Sequence, residues 1–121
     1  MTKTLAVRGA VTVSENSVSA IEAAALEMMR AVISENALNL EEVSHVIFTM
    51  TKDLNAVYPA KCVREKLNFS DIPLLCMQEL DIENSLPMCI RVLMVINSDK
   101  ERTQIKHIYL KDAKKIRPDI N

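Results

Sequence analysis

The sequence predicts an α/β chain of the α+β type: a mixed five-stranded sheet packed by one long helix and one short helix. Three observations predict it. Short apolar, β-branched runs alternate with segments of helical periodicity. The run LPMCIRVLMVI, Leu86–Ile96, is apolar or proline at ten of eleven positions, as in a strand buried on both faces. The two helical segments differ greatly in length, so they cover one face of such a sheet better than two. The uncovered face predicts an oligomer. A chain of 121 residues fits a single domain, residues 1–121, that buries about two-thirds of its unfolded surface.

Each element has its own signal. Leu5–Val13 (LAVRGAVTV) reads as a strand broken at Gly9, and Asn16 or Ser17 can cap the helix that follows. Val18, Ile21, Ala25, Met28 and Val32 recur at helical spacing, widened by Leu26, Met29 and Ile33, with Glu22, Glu27, Arg30 and Ser34 on the wet side. This helix ends near Asn36. Leu40–Val43 is a short helical turn, and His45–Thr51 a second strand. Pro59 suits the first turn of a shorter helix carrying Ala60, Lys61, Val63, Arg64 and Leu67. Ile72–Leu80 reads as a third strand and Leu86–Ile96 as a fourth. Gln104–Leu110 reads as a fifth, with Ile105, His107 and Tyr109 on one side and Lys106 and Ile108 on the other. A turn at Pro118 closes the tail.

Composition excludes several function classes. The core is aliphatic, with seven Met, two Phe, two Tyr and no Trp. A net charge of -1 and a pI near 6.1 give no nucleic-acid footprint. One glycine, Gly9, cannot write a dinucleotide fingerprint or a phosphate loop. Cys62, Cys76 and Cys89 are odd in number and widely spaced, and His45 and His107 stand far apart, so no disulfide framework or metal site is expected. The histidines read as ordinary strand or loop residues. Neither a signal-peptide core nor a membrane-length apolar run occurs, which points to the cytoplasm with no membrane partner.

Four residues break the apolar pattern of their strands: Arg8, Glu79, Arg91 and Tyr109. Such violations collect at functional sites. A structural ion pair of Glu79 with Arg8 or Arg91 would also explain two of them. Arg64 on the short helix and Arg117 in the tail add more guanidinium groups than one pair needs. Arginine forks grip carboxylates bidentately, so the set suits a small dicarboxylate ligand. Arg30 and Arg102 read as solvated surface charges. No Ser-His-Asp order, Cys-His pair or usable carboxylate pair occurs, so an enzyme of this kind would work by holding and by electrostatics, without a cofactor.

The stretches VRGAVTV (7–13), DLNAVYPAKCVRE (53–65), PLLCMQELD (73–81), SLPMCIRVL (85–93), IKHIYL (105–110) and IRPD (116–119) together resemble the AroH-class chorismate mutases, the α/β trimeric type, end to end. The resemblance implies a homotrimeric pseudo-barrel with active sites between subunits. It also implies the Claisen rearrangement of chorismate to prephenate, at the branch of the shikimate pathway leading to phenylalanine and tyrosine, with no cofactor and no metal. It gives Arg91, from the CIRV motif, to the ether oxygen of the transition state and to a substrate carboxylate. Arg8 and Tyr109 would hold the side-chain carboxylate. Glu79 would accept from the ring hydroxyl and keep the arginines in place, with Cys76 beside that hydroxyl. Cys76 and Glu79 are three residues apart, so a regular strand would point them to opposite faces. Tyr58, Lys61 and Arg64 of a neighbouring subunit would form a wall and the entrance, and Arg117 would close the mouth.

Some positions depart from the family pattern. Tyr58 stands where Phe is usual, Asn84 where Gly is common, and Lys106 where Arg is common; the tail after IRPD is short. Asn tolerates the left-handed turn that a Gly there would serve. Two other readings use the same cleft: a dicarboxylate-binding trimer without turnover, and an imine deaminase of the related trimeric fold.

Overall fold

The computed structural model describes residues 1–116; Arg117 and the expected turn at Pro118 lie outside them. The order is β1 (Lys3–Thr12), α1 (Val18–Glu35), a 3-10 turn (Leu40–Glu42), β2 (Val43–Met50), α2 (Pro59–Lys66), β3 (Leu74–Gln78), β4 (Cys89–Ser98), a 3-10 turn (Arg102–Gln104), β5 (Ile108–Leu110) and a last 3-10 turn (Lys111–Lys115). The strands form one sheet in the order β3-β2-β4-β1-β5. The central pairs β1–β4 and β2–β4 are antiparallel, and the outer pairs β1–β5 and β2–β3 are parallel, so the sheet is mixed as the sequence predicts.

Ser17 caps α1, its Oγ accepting from the Ala20 N–H at 3.2 Å. Such a cap contributes about 1 kcal/mol. Asn16 serves elsewhere, accepting from the N–H groups of Asn55 and Ala56. Ile21, Ala24, Ala25, Leu26, Met28, Met29 and Val32 are buried along the expected stripe, whereas Val18, in the first turn, is exposed. Alternation then sorts the sheet. Val7, Val11, Val46, Phe48, Val92 and Met94 pack under α1 in the main core. Gly9 sits on this face because an added Cβ would meet Val92 Cγ1 at 2.9 Å and Val32 Cγ2 at 3.2 Å.

The opposite face carries Arg8, Ala10, Thr49, Leu93 and Arg91. A small second core of Ala10, Cys89, Tyr109 and Ala113 covers part of it, where the last 3-10 turn folds back. The rest is open: Leu75 is 55%, Met77 46% and Leu93 38% exposed. The two helices therefore leave an apolar face uncovered within the chain, as their lengths predict.

Every strand's bounds differ from the sequence reading: β1 is Lys3–Thr12 rather than Leu5–Val13, β2 Val43–Met50 rather than His45–Thr51, and β3 only Leu74–Gln78 rather than Ile72–Leu80; the largest changes fall on β4 and β5. β4 starts at Cys89 rather than Leu86: Met88 takes φ 53, and although its carbonyl still accepts from the Val13 N–H at 2.8 Å, regular pairing begins only at Cys89. It runs on through Asn97 and Ser98, which still pair with Thr4 and Lys3. β5 holds only Ile108–Leu110, so the alternation expected from Gln104 fails: Ile108 and Tyr109 are both buried, one on each face.

Candidate active site

The strand registers bring the pattern-breaking residues together. Tyr109 of β5 pairs with Ala10 of β1, Ala10 with Arg91 of β4, and Arg91 with Thr49 of β2. These four form one row across the uncovered face. Arg8 lies one step away on the same face, opposite Leu93. Glu79 follows the end of β3, but its N–H still donates to the Met50 carbonyl at 2.9 Å. The carboxylate thereby stays on the face of the row.

Glu79 Oε2 accepts from Thr49 Oγ1 at 2.8 Å and lies 3.0 Å from Arg91 Nε. The Arg91 side chain is 30% exposed and that of Glu79 14%. Their contact is an ion pair without a well-aligned hydrogen bond, since the buried Nε–H finds no acceptor in line among the described residues. The Tyr109 hydroxyl is likewise buried without a partner there. Leaving a buried donor unmade costs about 1–3 kcal/mol. Two such groups flank Ala10, whose methyl cannot come between them. A ligand oxygen could satisfy the Tyr109 hydroxyl, while the Arg91 Nε already lies against Glu79.

Cys89 is two residues before Arg91 on the same strand face and is fully buried. Burial pushes its thiol up to about 11, and the adjacent Arg91 guanidinium opposes that rise. The thiol is thus a neutral packing partner for the guanidinium. Sequence reasoning passed over both Cys89 and Thr49. Cys89 was legible from the two-residue spacing to Arg91. Thr49 was not, because its role depends on the register of β2 against β4.

Cys76 does not share the face of Glu79. It pairs with Phe48 on the helix side, half-buried against the main core, and burial raises its thiol above the ordinary value. With Tyr58 and Lys61 it lines a cleft of about 560 Å³ along the free edge of β3. Arg64 is exposed on α2. Within one chain, then, Arg8, Arg91, Glu79 and Tyr109 share a face, and Tyr58, Lys61 and Cys76 share a separate edge cleft. Asn84 takes φ 66, the left-handed turn expected of it. Met88, with φ 53, is held by its N–H donating to both oxygens of Asp53, at 3.2 and 3.0 Å.

An α+β sheet that carries a held arginine and a buried hydroxyl without a partner among the described residues on one face could take a small oxygen-rich anion. Comparison with known proteins makes this specific. The family model described as chorismate mutase type I matches residues 4–120. The chain is 37% identical over 115 residues to the chorismate mutase AroH of Bacillus subtilis, covering 95% of this chain and 91% of that one. It is 37% identical over 115 residues to the chorismate mutase AroH of Thermus thermophilus, covering 94% and 93%. A solved chorismate mutase from Clostridium thermocellum superposes with a TM-score of 0.87 at 41% identity, over 90% of this chain and 96% of that chain. The chain belongs to the type I chorismate mutase family.

Proposed function

We propose that the chain isomerises chorismate to prephenate and that the row centred on Arg91 is where it does so. The activity follows from family membership. The residue roles rest chiefly on one observation: Glu79 holds Arg91 by Nε, at 3.0 Å, on an open sheet face. Gripped there, the guanidinium keeps its two terminal nitrogens for a ligand.

The reaction is pericyclic, with one C–O bond breaking as a C–C bond forms inside a single molecule. It needs no proton transfer and no covalent intermediate. The substrate must be held compact, and the ether oxygen gains negative charge as its bond breaks. A fixed cation at that oxygen stabilises the transition state more than the ground state, which is what raises kcat. Arg91 is that cation. Arg8 and the unsatisfied Tyr109 hydroxyl take the side-chain carboxylate. Glu79 accepts from the ring hydroxyl while restraining Arg91, and Thr49 restrains Glu79 in turn.

The edge cleft of Tyr58, Lys61 and Cys76, with Arg64 beyond it, forms the opposing wall in a homotrimer, contributed by a neighbouring copy. The exposed Leu75, Met77 and Leu93 support burial of this face against another copy. Residues 1–121 act as one domain. Among the described residues no helix is long and apolar enough to cross a membrane.

The test is direct. Purified protein is mixed with chorismate, and the loss of its ultraviolet diene absorbance is followed, with prephenate confirmed by acid conversion to phenylpyruvate. Saturable turnover is expected. A folded oligomer that binds prephenate without turning chorismate over would overturn the reading in favour of a binding protein.

A further inference from the structure

We propose that His107 is a positioning residue for the carboxylate grip, holding Arg8 and Tyr109 in register through its imidazole. The inference rests on the reading of Arg8 and Tyr109 as carboxylate ligands. The Arg8 N–H donates to His107 Nδ1 at 3.0 Å, a bond that spans 99 positions of sequence. The parallel ladder between β1 and β5 starts one step later, at Gly9 opposite Ile108. At the Arg8 position the backbone of β5 is not in the ladder, and the imidazole supplies the acceptor instead.

The reason lies in α1. Asn36, almost wholly buried, donates from Nδ2 to the carbonyls of Val32 and Lys106, each at 2.9 Å, and accepts from the Lys106 N–H on Oδ1 at 2.7 Å. Both backbone groups of Lys106 are therefore held at the end of the helix. That draws the segment before β5 away from β1 and would leave the half-buried Arg8 N–H without a ladder partner. A buried donor left so costs enough to shift the strand. His107 closes the gap from the next residue.

This places one linkage beneath two ligand groups. Arg8 and Ala10 are two apart on β1, His107 and Tyr109 two apart on β5, and Ala10 pairs with Tyr109. The His107 bond and that pair are thus successive ties between the same two strands. Releasing the first lets Arg8 move relative to Tyr109 while leaving Arg91 on β4 untouched. The loss should fall on substrate binding rather than on the chemical step. An accepting Nδ1 also fixes the tautomer, with the proton on Nε2.

The experiment is a double-mutant cycle with a spectroscopic control. His107→Leu should raise KM about tenfold with kcat held within about twofold, the size of one lost buried hydrogen bond. His107→Asn, whose Oδ1 falls near the original Nδ1, should restore KM to within about threefold. In an Arg8→Ala background, which keeps the donating backbone N–H, His107→Leu should raise KM clearly less, because only the Tyr109 half of the grip is left to displace. An equal rise in KM in both backgrounds would mean a general structural role and would overturn the proposal, as would an unchanged KM in the single variant. If Arg8→Ala alone leaves KM unchanged, the carboxylate role of Arg8 is what fails. NMR of the imidazole nitrogens in the unmutated protein, assigned with His45→Gln, tests the bond whether or not a variant folds: the Nε2–H tautomer is expected, and a proton on Nδ1 near neutral pH would overturn it.

Discussion

Replacing Arg91 by lysine separates charge from geometry at the proposed centre. Both side chains are cationic, so the pairing with Glu79 can survive. At the observed 3.0 Å, and with an effective dielectric near 20, a unit-charge pair attracts by about 5.5 kcal/mol. Partial exposure of the Arg91 side chain lowers this. A lysine ammonium can recover much of what remains, so the urea midpoint should move by less than about 1 kcal/mol equivalent. Catalysis should behave differently. Arginine spends Nε on Glu79 and retains two terminal nitrogens beyond it, whereas lysine has one nitrogen for both tasks. Removing a donor from a developing oxyanion costs about 10²–10³ in kcat, or roughly 3–4 kcal/mol. The assay is initial-rate loss of chorismate absorbance across a substrate series, with unfolding curves on the same preparations. A kcat within about threefold of the original, in a protein of unchanged stability, would refute the ether-oxygen role.

Two further outcomes test the frame around the site. Gly9→Ala should destabilise the fold by about 1–3 kcal/mol in urea unfolding, because the new methyl meets Val92 Cγ1 at 2.9 Å and Val32 Cγ2 at 3.2 Å inside a packed core; an unchanged midpoint would mean that Val92 on β4 and Val32 on α1 yield freely at these contacts. Cys89 should impose an alkaline loss of stability. Burial raises its thiol from 9.0 to about 11 in the folded chain, so its contribution is complete below the unfolded value and is lost as pH rises through the folded one. The full loss is about 2.7 kcal/mol, of which roughly 2 should be gone by about pH 10.5. Cys89→Ala should remove that part of the decline, and equal declines in the two proteins would contradict it.

The sheet was legible because its strands carry their own pattern, and the misses fall where a single tie overrides that pattern. Gln104–Leu110 alternates well enough to read as a strand. Yet Asn36 holds both backbone groups of Lys106 at the end of α1, so only Ile108–Leu110 can pair with β1. Asn36 was legible as a helix end, not as a clamp reaching 70 positions on. Likewise Leu86–Met88 are apolar for packing, while the left-handed backbone at Met88 postpones β4. Such ties are side-chain to backbone bonds between distant segments, and no local period encodes them.

The grouping of the odd residues was legible for a different reason. A charged residue in an apolar strand costs stability unless something meets it, so Arg8, Glu79 and Arg91 declared themselves one by one. What the sequence could not give was their order across the sheet. That order requires the antiparallel register of β4 against both β1 and β2, which sets Arg91 opposite Ala10 on one side and Thr49 on the other. Parity did settle one point: Cys76 and Glu79, three apart, face opposite sides even though Glu79 lies just past the strand end. A thiol side chain on the helix face and a carboxylate on the open face cannot both meet one ligand lying on the Arg91 row. If Cys76 reaches the ring hydroxyl, it does so across the β3 edge, through its backbone or through the cleft it shares with Tyr58 and Lys61. The trimer proposal therefore does more than bury apolar surface. It is what would bring that edge cleft over the Arg91 row of a neighbouring copy, so the parity of two residues on one short strand argues for a site completed between chains.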